Sequence, residues 1–431
     1  MRKIRLHILA VLVTATIAAA VPPAGEKPPA TPAPGGADSP YEQMQILARA
    51  MQLIRQDYVD DTKVSYKDLT YSALQGMLAA LDPHSQFMEP ADFKSMQEDT
   101  KSEFGGLGVV VTQKNGVLTI INPMEDTPGF KAGLLPGDQI LKINGQSTEK
   151  FTLQEAVEML RGRAGEKVTL TVSRPAEKEI RDYELTRAVI KVPTVKDARI
   201  LPERRTGDPR IGYVRITQFN EPTAPELAKA LEKLEKQGMD ALVLDLRYNP
   251  GGLLGSAVDV CGQFLPPNTK VAFTEGRTPT REYRTPPRSG PERKYPVAVL
   301  VNYASASGSE IVAGALKDLG RAILVGETTF GKGSVQSVVS LPDGSAVRLT
   351  TAKYFTPGKN LIHEHGVSPH IRVALTNRQE ADLLRARRNR EDADKRAKVT
   401  ADPQLDRAVD ALTGTILYGK RSRPQEPEKK S

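Results

Sequence analysis

The 431-residue chain has no tryptophan and a single cysteine, Cys261. One thiol excludes an intramolecular disulfide and any cysteine-based zinc cluster. Cys261 sits in the apolar run AVDVCGQFL, which predicts a small buried side chain rather than a catalytic thiol. Aromatic residues make up 5% of the chain, and few lie among the basic ones. A nucleic-acid surface would need them as stacking platforms, so the net charge of +8 does not by itself imply one. Basic and acidic residues are interleaved, as in RQEADLLRARRNREDADKR, which reads as a solvated helix face; no nucleic-acid partner is expected. Histidine is scarce. His363 and His365 flank Glu364 in HEHGVSPH, but no third ligand is evident, so neither a metal nor another cofactor is expected.

A long hydrophobic run is also missing. The apolar stretch over residues 6–21 is shorter than the roughly 20 residues of a spanning helix. With Arg2, Lys3 and Arg5 before it and small residues after it, it reads as a secretory signal over 1–24, cut near Ala20 or Ala24. Export to a periplasmic or extracellular space follows; uncleaved, the same segment would serve as a membrane anchor. No cysteine follows it to carry a lipid. Residues 25–40 are rich in Pro and Ala and predict an extended tether.

The rest is long enough for several domains. Residues 41–100 show helical spacing, as in YEQMQILARAMQLIRQDYV, and LDPHS closes the second helix. Residues 101–188 change to short strands with one helix. GLGVVVTQKNGVLTIINPM predicts a hairpin on Asn-Gly, and TLQEAVEML opens on Thr152 with Glu155 as a capping box. LLPGDQILKINGQ is the most specific piece of an arrangement that resembles a PDZ domain. The resemblance implies that Phe104, Gly105, Gly106, Leu107 and Gly108 form the loop that cradles a peptide carboxylate. Over 189–375, strands alternate with helices, as in DALVLDLRYNPGG followed by LLGSAVDVCGQFL, which predicts a helix-covered sheet. Residues 376–431 are charged and helical before a polar tail.

Two stretches carry candidate chemistry. AILVGETTFGKGSVQSVVS contains G-x-x-x-x-G-K at 326–332, the spacing of a phosphate loop. A phosphate-loop lysine is followed by Ser or Thr and opens a helix. Here Gly333 follows, and the downstream segment alternates and breaks at Pro342-Asp343-Gly344, which predicts a hairpin instead. The second stretch, VLVNYASASGSEIVAGAL, passes from strand to helix with Ser305, Ser307 and Ser309 on the turn. A serine there can act as a nucleophile beside an oxyanion-stabilising helix N-terminus, or it can cap the helix. No G-x-S-x-G surrounds Ser307 and no histidine is placed as its base. A lysine base remains, provided burial lowers it from its free pKa of ~10.4. Lys332 lies among Phe330, Gly331, Gly333 and Val335, with no acid between Thr328 and Pro342.

SASGSEIVAGAL, VGETTFGKGSVQ, DLRYNPGG and the PDZ-like segment together resemble the carboxyl-terminal processing proteases, also called tail-specific proteases. The resemblance spans about 41–412 and includes LDPHSQFM. It implies a multidomain α/β fold with a helical N-terminal region, a PDZ domain, an α/β protease core and a helical C-terminal extension. It implies a serine endopeptidase with Ser307 as nucleophile, Lys332 as base and Gln336 as the lysine's orienter. The oxyanion hole falls to the N–H of Gly308 and that of Gly251 or Gly252. Gly308 stands where the family usually has Ala. Asp245 and Arg247 are expected to build their loop, and Glu310 to cap a helix. Protein substrates with exposed C-terminal tails are the implied partners, and the helical ends would join a second copy or an adaptor. A PDZ scaffold without activity is the rival reading.

Overall fold

The runs IGYVRI, ALVLD and VAVLV are apolar without alternation, as strands covered on both faces require. In the computed structural model they form the centre of the core sheet. The structure describes residues 39–421 apart from 115, 125, 176, 203–208, 278, 288–289 and 392–400. The expected signal, nearly all of the tether and residues 422–431 lie outside the described residues.

In chain order, α1 (Pro40–Asp57) and α2 (Tyr66–Ala79) come first. The first buries no residue and exposes Tyr41, Met44 and Ile46. Then follow β1 (Gln86–Met88), α3 (Pro90–Lys101) and β2 (Glu103–Gly106). The expected helical N-terminal region thus also contributes a strand, and that strand joins a distant one near the end of the core.

The next unit is built on β3 (Val109–Lys114), β4 (Val117–Pro123), α4 (Pro128–Lys131), β5 (Gln139–Ile143), β6 (Gln146–Ser147), α5 (Leu153–Leu160), β7 (Lys167–Arg174) and β8 (Glu179–Thr186). Its sheet runs β3-β4-β5-β7-β8, with β6 on β5. Leu118, Ile120, Ile140, Ile143, Leu170 and Leu160 fill its own core. The capping box of α5 is formed as expected: Thr152 N–H donates to Glu155 Oε2 at 2.7 Å, and Glu155 N–H donates to Thr152 Oγ1 at 3.2 Å. The strand β9 (Ala188–Lys191) pairs with β2, and the chain then enters the core.

The core sheet uses β10 (Val195–Ile200), β11 (Ile211–Ile216), β12 (Ala241–Asp245), β15 (Val297–Val301), β16 (Ile323–Gly326) and β19 (Ile371–Arg372), adjacent in that order. All pairs from β11 onward are parallel. Between them run α6 (Thr223–Lys236), α7 (Leu254–Gly262), β13 (Lys270–Gly276), β14 (Arg281–Arg284), α8 (Gly308–Asp318), β17 (Ser334–Ser340) and β18 (Ala346–Phe355). One face is covered by α6, α7 and α8, through Leu227, Leu231, Cys261 and Val312. The other face is covered by α10 (Pro403–Arg421), through Leu405, Ala408 and Leu412, after α9 (Asn377–Glu391). A second sheet, β1-β18-β13-β14 with β17 on β18, lies beside the site. The β17–β18 pair is the hairpin expected after the false phosphate loop. Among the described residues no helix is long and apolar enough to cross a membrane.

Candidate active site

In parallel sheets, ligands meet the loops at the carboxyl ends of the strands. Here β12, β15 and β16 are neighbours, and each releases one of the marked loops at that end: 246–253, 302–307 and 327–333.

The three serines separate by their bonding. Ser305 is fully buried; its hydroxyl donates to Leu246 O at 2.8 Å and accepts from Asn302 N–H at 3.0 Å. Ser309 is also fully buried and donates to Asn249 O at 3.0 Å. Both are loop fasteners. Ser307 is only partly buried and immediately precedes α8. Its φ of 53° is strained for a residue with a side chain, as at other strand-to-helix nucleophile turns.

A buried carboxylate joins this turn to the lysine loop. Glu310 Oε2 accepts from Ser307 N–H and from Lys332 N–H, both at 2.8 Å. Its Oε1 accepts from Gly331 N–H at 2.7 Å and from Thr329 Oγ1 at 2.5 Å. Burial pushes the Glu310 carboxyl upward in pKa, against the four bonds that favour its charged form. The expected helix cap is therefore present, but it is a quarter of what the residue does.

Lys332 is half-buried. Burial lowers its pKa first, and the Arg348 charge lowers it further; Glu310 acts in the opposite direction. No acid lies within the loop, as its sequence shows, but α8 supplies Glu310. Glycine on both sides of the lysine has a steric cause. A Cβ at Gly333 would lie 2.3 Å from His363 N, and one at Gly331 about 3.1 Å from the Glu364 backbone, at a φ of +90°. The HEHG segment is thus a backbone clamp on the lysine loop; Glu364 N–H donates to Gly331 O at 2.8 Å.

Gln336, on β17, donates through Nε2 to Thr350 Oγ1 at 2.8 Å and to Ser334 Oγ at 3.2 Å. Its Oε1 is buried and has no partner among the described residues.

The 246–253 loop is pinned to the serine turn by Asn249, which is fully buried. Its backbone O accepts from Ala306 N–H at 3.0 Å, and its Oδ1 accepts from Gly251 N–H at 2.9 Å. Gly251, at φ +101°, touches the nucleophile turn: a Cβ there would lie 2.6 Å from Ser307 Cβ. Gly252 pairs with Phe219, and a Cβ on it would strike the Phe219 backbone. Gly308, the first residue of α8, packs on the Phe219 ring. Asp245 and Arg247 form the base of the loop. Arg247 binds Asp245 at 2.7 Å and Asp402 at 2.9 Å, so the segment just before α10 is tied in. Sequence reading had no signal for Asp402 or for Glu380, which accepts from Tyr248 Oη at 2.9 Å.

Far along the chain from these loops, β3 has a sheet neighbour on one side only. A cavity of about 90 Å³ is lined by Phe104, Gly106, Leu107 and Gly108 with Val109, Val111, Val157 and Leu160. Phe104 and Gly105 belong to β2, where they pair with Ile190 and Val189. Gly105 lines a separate, larger cavity beside α3. Arg161 stacks its guanidinium 4.7 Å over the Phe104 ring.

Residues 210–373 match peptidase family S41 and residues 119–174 match the PDZ domain family. The PDZ match does not extend to 104–108. A carboxy-terminal-processing protease of Bartonella bacilliformis is 38% identical over 90% of this chain and 92% of its own. The carboxy-terminal processing protease CtpB of Bacillus subtilis is 38% identical over 80% of this chain and 71% of its own. Among solved structures, a photosystem II D1 C-terminal processing protease is 30% identical over 77% of this chain and 93% of that one, with a TM-score of 0.46.

Proposed function

This chain belongs to the carboxy-terminal-processing proteases of peptidase family S41, serine peptidases that act on proteins, and from that premise we propose that it cuts with a Ser307–Lys332 dyad. Ser307 Oγ attacks the scissile carbonyl, and the neutral Lys332 amine takes its proton. The tetrahedral oxyanion is held by the N–H of Gly308 at the start of α8 and that of Gly252 in the 246–253 loop. Gly252 is preferred over Gly251 because the Gly251 N–H is already given to Asn249. Lys332 then passes the proton to the leaving amine, and water hydrolyses the acyl-enzyme with the lysine again as base. Gln336 orients the lysine, its Oε1 accepting from the amine.

The observation that carries this reading is the bonding of the three serines: Ser305 and Ser309 spend their hydroxyl protons on backbone carbonyls, whereas among the described residues Ser307 takes part only as the helix cap and donates its hydroxyl proton to nothing. The Glu310 bridge supports it, because one carboxylate oxygen fixes the backbone of both dyad residues. The groove between β3 and α5 is proposed to take an apolar C-terminal tail as an added strand, with 104–108 at its carboxylate end, and so to deliver and gate the substrate. Export by the N-terminal segment, and pairing with a second copy or an adaptor through the helical ends, complete the proposal.

The test is cleavage of a denatured protein with an apolar C-terminal tail by Ser307→Ala and Lys332→Ala. Each is expected to lose about 10⁴-fold or more in kcat. Activity near that of the parent in either variant would refute the dyad.

A further inference from the structure

The segment LDPHS lies between α2 and β1, outside the three loops that form the site. The strand after it joins β18, pairing Gln86 with Arg348 and Met88 with Ala346. This brings Asp82 and Ser85 to Thr350, the residue that holds Gln336. We propose that Asp82, through Ser85 and Thr350, fixes the Gln336 amide with its NH2 toward Thr350 and its carbonyl left to accept from Lys332, so that Asp82 and Thr350 are positioning residues for the base.

Asp82 Oδ1 accepts from His84 N–H at 2.7 Å and Ser85 N–H at 2.9 Å, and its Oδ2 accepts from Ser85 Oγ at 2.7 Å. The Thr350 hydroxyl lies 3.4 Å from Ser85 Oγ. Partial burial works against the charge on Asp82, but the bonds from Ser85 and His84 outweigh it and hold the carboxyl down at about 2. An ionised carboxylate only accepts. The Ser85 hydroxyl proton is therefore directed to Asp82, so the proton between the two hydroxyls comes from Thr350 and goes to Ser85 Oγ. With its proton spent, Ser85 Oγ accepts from Thr350 N–H at 3.1 Å. Thr350 Oγ1, also spent, can only accept from Gln336, and Nε2 stands 2.8 Å away. A flipped amide would set Oε1 against an oxygen with no proton to give. The charge on Asp82 thus selects one of two amide orientations that are otherwise equal in shape. That orientation leaves the buried, unpartnered Oε1 as an acceptor for an amine N–H, which turns the lysine lone pair toward the serine proton.

This inference rests on Lys332 as base and Gln336 as its orienter. The test is steady-state kinetics of the full chain on a denatured protein with an apolar C-terminal tail. Thr350→Val should lower kcat about tenfold with KM unchanged, and Thr350→Ser should restore it. Asp82→Asn keeps the shape but can donate, so it should cause a similar fall in kcat and add nothing in combination with Thr350→Val. In a Gln336→Ala background Thr350→Val should be silent. A folded Thr350→Val enzyme with parental kcat overturns the proposal, and so does a full tenfold loss that persists without Gln336. If Thr350→Val does not fold, Asp82→Asn in the two backgrounds decides in the same way. Activity retained by Lys332→Ala would sink the dyad itself, whereas a silent Thr350→Val beside an inactive Lys332→Ala sinks the relay alone.

Discussion

The core sheet and the PDZ sheet differ in what they leave open. In the core, β12 and β15 have parallel neighbours on both sides and helices on both faces. Around Ser307 the polar groups are consumed: Glu310 uses both oxygens, Asn249 uses both ends of its amide, and Ser305 and Ser309 fasten loops. In the PDZ sheet, β3 pairs with β4 alone, and its open edge faces an apolar groove. In the proposed reading, the first region holds reacting atoms still, as preorganised catalysis requires, and the second keeps a strand edge available for another chain. Substitutions in the two regions should therefore fail differently, in kcat and fold stability for the core and in KM for the groove.

Outside the dyad itself, the largest effect is expected at Glu310. Glu310→Ala leaves the N–H groups of Ser307, Gly331 and Lys332 and the Thr329 hydroxyl without their acceptor. At about 1–3 kcal/mol for each buried donor, the loss is on the order of 4 kcal/mol or more, enough to lower Tm by ~10 °C. Activity should fall with it by at least a hundredfold. Thermal unfolding and kcat on the same preparations check this; a variant with parental Tm would mean that the bridge does not tie the loops.

Val157→Asp tests the other side of the comparison. Val157 lines the groove with Val109, Val111 and Leu160. A carboxylate there removes apolar contact and repels a peptide carboxylate. KM for a substrate with an apolar tail should rise about tenfold, equivalent to ~1.4 kcal/mol, with kcat at saturation kept. An equal fall in kcat would show that the groove and the dyad are not separable.

A third effect is one of pH. Arg348 lowers the Lys332 pKa, after burial. Arg348→Leu removes a positive charge, so protonated Lys332 becomes less costly and its pKa rises. At neutral pH a smaller fraction of the lysine is then the free base. The midpoint of the rise of kcat/KM with pH should move upward, with a severalfold loss at pH 7, while Arg348→Lys keeps the midpoint. His84 and Glu310 also face Lys332 and are unchanged in both variants. An unmoved midpoint in Arg348→Leu would show that burial alone sets the lysine.

Much of this contrast was legible in the sequence because it rests on local patterns. The Thr152–Glu155 box, the alternation after Lys332 and the unbroken apolar strands follow from neighbours in the chain. The rest depends on approach between distant segments. Nothing local shows that β12, β15 and β16 are adjacent, because β13 and β14 intervene and belong to the other sheet. The Ser307-to-Glu310 spacing is readable as a cap, but the donors on Thr329, Gly331 and Lys332 come from the far side of α8 and β16. The pressure of His363 and Glu364 on the two glycines around Lys332 is equally hidden. The strand β1 has three residues, too short for any periodicity to reveal, so LDPHS reads from sequence as the end of a helix.

The smallest effect is expected at Gly308, where the resemblance to the family would predict alanine. A Cβ there would stand 3.1 Å from the Phe219 ring and 3.4 Å from Ala257 Cβ, close enough that the ring must shift by a few tenths of an ångström. Phe219 is fully buried, and its backbone brackets Gly252, with Phe219 N–H donating to Gly251 O at 2.9 Å and Leu253 N–H donating to Phe219 O at 2.6 Å. A displaced ring would therefore be felt in the loop that carries the second proposed oxyanion donor. Against this, alanine is the better helix former. The two tendencies oppose, so Gly308→Ala should change kcat by no more than about threefold and move Tm by only ~1–2 °C. A thirtyfold fall in kcat at unchanged Tm would mean that the ring of Phe219 sets the distance between the Gly308 and Gly252 N–H groups. The core's rigidity at that point would then come from one aromatic contact rather than from the polar bonds around Asn249 and Glu310.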